Sequence, residues 1–137
     1  MTCQRPLRIV FNEVLQIQNI TIIFGARTID EQLEMIRRGT TRLRSPYRSR
    51  HVVAPDIRHK SAAIDVAPWW PDKPHVHWDD HGAFSVLAGV AKAVASRHGV
   101  GIRWGGDWDR DGRTVDNRFN DLGHFELIEE VDDGDNE

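Results

Sequence analysis

The sequence is poor in the features that mark disulfide-stapled, secreted or membrane-spanning proteins. Among its 137 residues there is one cysteine, Cys3, which excludes an internal disulfide framework and a cysteine-based zinc knuckle. No apolar run approaches the ~20 residues that cross a bilayer, and no charged start followed by an apolar stretch marks a secretory signal peptide. We therefore expect a protein that is synthesised in the cytoplasm and makes no stable membrane insertion.

The chain also carries little net charge. The formal value is −3 at pH 7, and much of it comes from residues 129–137, which we interpret as an acidic, disordered tail. Residues 1–128 have the length of one domain with a buried core. Because the charge is weak and no basic helix is present, the sequence argues against a nucleic-acid partner.

The hydrophobic periodicity alternates between helical and strand spacing along the chain. Helices are expected at 6–18, 30–38 and 81–98, strands at 20–24, 62–66, 102–104 and 124–128, and a long loop at 40–60. Helix and strand patterns interleaved in this order, with short strands, predict an α+β fold whose small antiparallel sheet is flanked by helices.

Two histidines and two aspartates are the strongest candidates for chemistry. Asp65 lies within an apolar strand pattern, where a carboxylate is costly to bury unless it is paired or coordinated. Together with His51 and His124 it would make a site of two imidazoles and one carboxylate, the arrangement of a catalytic zinc with an open fourth position. Asp121, three residues before His124, could then act on a metal-bound water. We expect this zinc site to lie at the sheet.

The order Ser-x-His, Ala-x-Asp, Asp-x-x-His resembles the D-alanyl-D-alanine carboxypeptidase-like zinc peptidases. Within them it is most similar to the L-alanyl-D-glutamate endopeptidases that phages use as endolysins. The resemblance spans about Ile20 to Ile128 and is carried by Gln32 and by these segments: Gly25-Ala26-Arg27-Thr28, Ile36-Arg37-Arg38-Gly39-Thr40-Thr41, Ser49-Arg50-His51, Ala63-Ile64-Asp65-Val66-Ala67-Pro68, Trp104-Gly105-Gly106-Asp107-Trp108 and Gly123-His124-Phe125-Glu126.

The resemblance implies a role for each matching position. His51, Asp65 and His124 would bind Zn²⁺ and Asp121 would be the general base. Arg27 would contact a substrate carboxylate or the developing oxyanion, and Ser49, in the substrate-binding segment, would orient its loop. A surface arginine after a strand is the alternative for Arg27.

The resemblance also implies a biological role. The protein would cut the L-Ala–D-Glu bond of the peptidoglycan stem peptide in the periplasm and lyse the host cell. A holin-like partner would export it, and we expect it to act as a monomer.

One departure from the family pattern leaves an alternative open. The family usually places its first two ligands seven residues apart, whereas His51 and Asp65 are fourteen apart, and His59 stands six residues before Asp65. Either residues 52–60 form an insertion or His59 replaces His51 as the ligand. The Ser-x-His context favours His51.

A second ion is a separate hypothesis. Asp107, Asp109 and Asp111 alternate before Gly112, as at the start of an EF-hand calcium loop. The twelfth position of such a loop is Arg118 instead of the bidentate glutamate. A solvated acidic turn is therefore the alternative to a Ca²⁺ site.

Three other functions compete with the endopeptidase. A D-alanyl-D-alanine carboxypeptidase or dipeptidase would use the same site. A His-metal nuclease is suggested by the many histidine, asparagine and arginine residues. The weak net charge of the chain argues against this function. A metal-stabilised structural or tail protein would keep the site without catalysis.

Overall fold

The computed structural model describes residues 3–40, 45, 49–107, 110 and 121–131. Within these residues, three helices and four strands follow one another in the order α1, β1, α2, β2, α3, β3, β4. Their bounds are α1 Arg5–Ile17, β1 Ile20–Phe24, α2 Ile29–Arg38, β2 Ala63–Pro68, α3 His81–Arg97, β3 Ile102–Trp104 and β4 His124–Leu127. Each lies within about two residues of its prediction, and the predicted α+β class is confirmed.

The four strands form one antiparallel sheet in the order β1-β2-β4-β3. The central pair, β2 and β4, comes from chain segments about sixty residues apart, and its register places Asp65 directly opposite His124. Because cross-strand partners project from the same face of a sheet, these two side chains are neighbours. The sheet therefore brings together two of the candidate site residues.

Helices α1 and α3 cover one face of the sheet and form the core with it. The buried side of α1 is Leu7, Val10, Phe11 and Val14, and that of α3 is Phe84, Leu87, Ala88, Ala91, Val94 and Ala95. On β2 and β4 the residues of the hydrophobic core are Ile64, Val66, Phe125 and Leu127. Since side chains alternate between faces along a strand, Asp65, His124 and Glu126 point away from the two helices.

Helix α2 is short and is fixed by its ends. Thr28 caps it in a reciprocal capping box with Glu31, and it ends at Gly39 in the left-handed conformation, with a φ of 72°. A capping box at the first turn and a left-handed glycine after the last turn are common at the two ends of a helix. Only Gln32 of this helix is buried, and that side chain belongs to the site described below.

Residues 130 and 131 contact the start of the chain and the loop before β2. The backbone N–H of Val131 donates to Gln4 Oε1 at 2.8 Å, and the Glu130 carboxylate accepts hydrogen bonds from two arginines. Residues 132–137 of the expected tail lie outside the described residues. No helix in the described ranges is both long and apolar enough to cross a membrane.

Candidate active site

The loop before β2 carries His51 to the face of the sheet that holds Asp65 and His124. The Arg27 N–H donates to the His51 carbonyl at 2.8 Å, and the Val53 N–H donates to the Arg27 carbonyl at 2.9 Å. This strand-like pairing fixes the loop against the segment that follows β1. As a result His51, Asp65 and His124 converge in space, although 73 residues separate the two histidines.

The facing atoms of these three residues form a nearly equilateral triangle. His51 Nε2 lies 3.2 Å from His124 Nδ1 and 3.3 Å from Asp65 Oδ1, and His124 Nδ1 lies 3.1 Å from Asp65 Oδ1. Ligands about 2.0–2.1 Å from a tetrahedral zinc are about 3.3 Å from one another. The triangle therefore has the size of one face of a zinc coordination tetrahedron.

In each imidazole, the outer nitrogen, which points away from the triangle, lies next to a hydrogen-bond acceptor. The inner nitrogen is the one at a corner of the triangle. His51 Nδ1 lies 2.7 Å from the Gly25 carbonyl oxygen and His124 Nε2 lies 3.0 Å from Glu126 Oε1. Because a carbonyl and a carboxylate only accept, the outer nitrogens carry the protons, and in the neutral rings the inner nitrogens present lone pairs. Two lone pairs and a carboxylate oxygen then face one another, which favours a cation between them.

The electrostatics of the cluster agree with that interpretation. Burial alone would lower the pKa of His124, but hydrogen bonds with Asp65 and Glu126 raise the pKa to about 9. Burial would raise the pKa of Asp65, but hydrogen bonds with His124 and His51 hold this pKa well below its usual range. These shifts mean that the site favours positive charge. When no cation is bound, the raised pKa of His124 keeps a proton on its imidazole.

Glu126 is the residue that binds the outer nitrogen of His124. The sequence did not lead us to assign it a role. It lies two residues after His124 on the same face of β4 and is buried. Burial raises its pKa, yet hydrogen bonds with His124 and Arg103 lower this pKa to about 2. Arg103 Nη2 donates to Glu126 Oε2 at 2.9 Å. A carboxylate that receives the outer N–H of a ligand histidine fixes its tautomer and orientation. The two-residue spacing in a strand is the signal that points to Glu126.

Asp121 is partly buried and lies just before β4. It is beside His51, Asp65 and His124, which we call the triad. Burial raises its pKa, and the negative charge of Asp65 raises it further, while the two histidines and Arg27 act in the opposite direction. Its backbone N–H donates to the Gly105 carbonyl at 2.9 Å. A Cβ at Gly105 would lie 2.0 Å from the Asp121 carbonyl oxygen. Only glycine at position 105 permits this approach.

Arg27 joins the triad to a groove along α2. Its Nη1 donates to the buried Gln32 Oε1 at 2.7 Å, its Nη2 lies 4.0 Å from Asp65 Oδ2, and its guanidinium sits 4.9 Å from the centre of the Phe24 ring. Burial lowers its pKa and the charge of Asp65 counteracts this. The groove has a volume of about 410 Å³ and is lined by Phe24, Arg27, Asp30, Glu31, Glu34, Met35 and Arg38. Arg27 is thus 6% exposed and is not the surface arginine of the alternative interpretation.

Ser49 and His59 have different positions relative to the triad. Ser49 is buried, and its hydroxyl accepts the His51 N–H at 3.3 Å, so it contacts the loop backbone. His59 is exposed and is not part of the one His/Asp cluster found among the described residues. The Ala62 N–H donates to the Arg50 carbonyl at 2.9 Å, which closes the intervening segment into a loop. His51 and Asp65 therefore meet in spite of their wide spacing.

The proposed calcium ligands lie only partly within the described residues. Asp107 is buried, and its Oδ2 lies 3.5 Å from Lys92 Nζ. Asp109 and Asp111 lie outside the described residues. The Ca²⁺ site stays a prediction.

The chain is similar to known proteins in its sequence and in its fold. The sequence model of the phage L-alanyl-D-glutamate peptidase family matches residues 1–128. The L-alanyl-D-glutamate peptidase of Escherichia phage T5 is 30% identical over 113 residues, which make up 80% of this chain and 76% of the relative. The crystal structure of the L-Ala D-Glu endopeptidase ChiX from Serratia marcescens matches with a TM-score of 0.69 at 23% identity, covering 92% of this chain and 80% of that one; this likeness concerns the fold. The chain belongs to the phage L-alanyl-D-glutamate peptidase family.

Proposed function

We propose that the protein is a zinc-dependent endopeptidase that hydrolyses the L-Ala–D-Glu bond of the peptidoglycan stem peptide. Membership of the family supports the peptidase activity. The observation that carries the metal assignment is the triangle of His51 Nε2, Asp65 Oδ1 and His124 Nδ1, with sides of 3.1–3.3 Å. Its two nitrogens and one oxygen are a donor set that suits zinc.

The other residues then have distinct tasks. Zinc held by the triad would supply a Lewis acid and lower the pKa of a bound water. Asp121 accepts the proton of the attacking water and returns it to the amine that leaves. Its raised pKa suits this exchange, since a carboxylate of ordinary pKa is a weak base at neutral pH.

Arg27 is proposed to bind the negative charge of the substrate. Its planar fork is anchored by Gln32 on one side, and it lies between the triad and the groove along α2. A guanidinium in that place suits a D-Glu carboxylate or the developing oxyanion. The groove has the size of pockets that hold small ligands, and we propose that part of the stem peptide lies in it.

Digestion of purified muropeptides tests the bond specificity. Mass spectrometry is expected to find a product with a new free amino group on D-Glu, together with fragments that keep L-Ala on the sugar. Release of D-Ala instead would identify a D-alanyl-D-alanine carboxypeptidase or dipeptidase and refute the endopeptidase assignment.

The setting of the reaction is proposed from the phage family. The protein would be synthesised in the host cytoplasm, cross the inner membrane with a holin-like partner and act as a monomer on the wall in the periplasm. Co-expression with and without a holin-like protein tests this, because lysis should require the partner when the protein is made inside the cell.

The Ca²⁺ site at Asp107, Asp109 and Asp111 is proposed as a regulator of the segment that leads to Asp121. Titration of Ca²⁺ into the zinc-loaded protein should raise its activity or melting temperature. No change in either quantity would refute the site.

A further inference from the structure

We propose that Arg58 and Glu130 form a clamp that holds His51 in its metal-binding position. This inference rests on the proposed role of His51 as a ligand. It assigns a task to the long segment between His51 and Asp65, where the chain departs from the family spacing, and to a residue beyond the 1–128 range that the family model matches.

The segment of residues 52–60 turns back on itself and brings Arg58 next to the start of the loop. Ala54 and Arg58 face each other, with the Ala54 N–H donating to the Arg58 carbonyl at 3.0 Å and the Arg58 N–H donating to the Ala54 carbonyl at 3.1 Å. The Arg58 side chain is 11% exposed. It points into the protein and not into solvent.

The guanidinium of Arg58 binds the backbone on both sides of His51. Its Nη1 donates to the Ser49 carbonyl and to the Val52 carbonyl, each at 2.9 Å. These two carbonyls flank the one residue of the loop that reaches the triad. A cation on both of them fixes the backbone from which the imidazole projects.

Glu130 holds the other edge of the same guanidinium. Arg58 Nε donates to Glu130 Oε1 at 2.7 Å and Arg58 Nη2 donates to Glu130 Oε2 at 3.2 Å. Arg50 Nη1 donates to Glu130 Oε2 at 2.9 Å, so the residue next to His51 is tied to the same carboxylate. Burial raises the pKa of Glu130, and Arg58, Arg50 and Gln4 lower it, so it is ionised at neutral pH.

This use of several N–H groups in one plane is specific to arginine. Lysine can donate to the carbonyls, but its ammonium has no planar fork for the carboxylate. Loss of Arg58 would remove a donor from both carbonyls and leave the Glu130 carboxylate attached to the loop through Arg50 alone. The loop around His51 would then sample other positions, and zinc would bind more weakly.

Zinc affinity of the full chain tests the clamp. Zinc-loaded protein is equilibrated with a chromophoric chelator, and zinc transfer is measured for wild type, Arg58→Ala, Arg58→Lys and Glu130→Gln. Arg58→Ala is expected to weaken zinc binding on the order of 10-fold, as for other residues that orient metal ligands. Glu130→Gln should weaken it by a smaller factor, roughly threefold, with Arg58→Lys between the two.

Arg97→Ala is the matched control. Arg97 is an exposed arginine that pairs with Glu13, so its loss should leave zinc affinity unchanged. Circular dichroism and thermal melts of each variant separate a loss of metal affinity from a loss of folding.

The clamp is refuted if folded Arg58→Ala binds zinc within about twofold of wild type, whatever its melting temperature. If Arg58→Ala does not fold, wild-type affinity in folded Arg58→Lys and Glu130→Gln refutes it equally. None of these measurements uses peptidoglycan, so failure of the proposed peptidase activity leaves the outcome interpretable.

Discussion

Asp65 and Asp121 are two carboxylates at the same candidate metal site, and their surroundings give them opposite properties. Asp65 contacts both histidines, and these contacts keep its pKa low. Asp121 is partly buried beside the charge of Asp65, and its pKa is raised. Environments that push two carboxyl pKa values apart divide the roles of ligand and base. The assignment of Asp121 to proton transfer therefore has an electrostatic reason as well as a family one.

Replacement of Asp121 separates catalysis from metal binding. Asp121→Ala should lower kcat/KM for muropeptide cleavage by about 10²–10⁴-fold, the usual contribution of a general base. Zinc content should stay at that of wild type, because the triad is untouched. Asp72→Ala, at an exposed position, is the control and should be fully active. Full activity of Asp121→Ala would contradict the proposed role, and a wild-type protein with no activity would favour the structural alternative.

At the scale of residues, the candidates for the triad could be predicted from the sequence. The residues that hold them in place could not. His51, Asp65, His124 and Asp121 stand in recognisable local contexts. The acceptor of His51 is the Gly25 carbonyl, 26 residues away, and the partner of Arg58 is Glu130, 72 residues away. No local pattern encodes such contacts, because they arise only when the sheet and loop assemble. The same closure of the loop is what favours His51 over His59.

At the scale of elements, side chains along β2 and β4 alternate between the two faces of the sheet. The core residues therefore lie on one face and the site residues on the other. Ile64 and Phe125 enter the hydrophobic core, while Asp65 and His124 face away from it. Periodicity predicted these strands from the sequence alone. It could not predict that β2 and β4 are neighbours, since strand order depends on long-range pairing. The close approach of Gly105 to Asp121 likewise depends on how β3 and β4 pair.

The turn after β3 should be sensitive to a single methyl group. In Gly105→Ala the new Cβ would overlap the Asp121 carbonyl oxygen, 2.0 Å away, and the backbone of the proposed general base must move. A displacement of about 1 Å can reduce catalysis about 10²-fold, so kcat should fall while zinc content stays unchanged. Wild-type kcat in a folded Gly105→Ala variant would show that the close approach of Gly105 and Asp121 does not matter for activity.

Gly89→Ala is the control for that substitution. Gly89 lies inside α3 and is exposed, and a Cβ added there would have no atom within 4 Å. Alanine is the better helix former, so this variant should gain about 0.5–1 kcal/mol of stability with unchanged activity. Chemical denaturation measures the gain, and a loss of stability would contradict the packing described for α3.

For the whole molecule, the candidate metal site links distant parts of the chain. The triad joins β2 and β4 to the loop of residues 49–54, and through Arg50 and Arg58 to Glu130 near the end of the described chain. A ligand that binds only the folded protein stabilises all of it. The sequence indicated one domain and a metal site, but the contribution of Glu130 depends on the folded C-terminal segment.

Zinc removal should therefore lower global stability. At free zinc about 1,000-fold above Kd, binding contributes about 4 kcal/mol, which corresponds to a rise in Tm on the order of 10 °C for a chain of this size. Differential scanning calorimetry of chelator-treated and zinc-restored protein measures the shift. Equal Tm values in the two samples would mean that the metal does not bind the native state.

The number of zinc ions bound per chain tests the central claim most directly. Wild type, His51→Ala and His59→Ala are purified in the same way, checked for folding by circular dichroism, and analysed by elemental mass spectrometry. The triad of His51, Asp65 and His124 predicts about one zinc in wild type and in His59→Ala, and almost none in His51→Ala. Retention of zinc by His51→Ala together with its loss from His59→Ala would contradict the account.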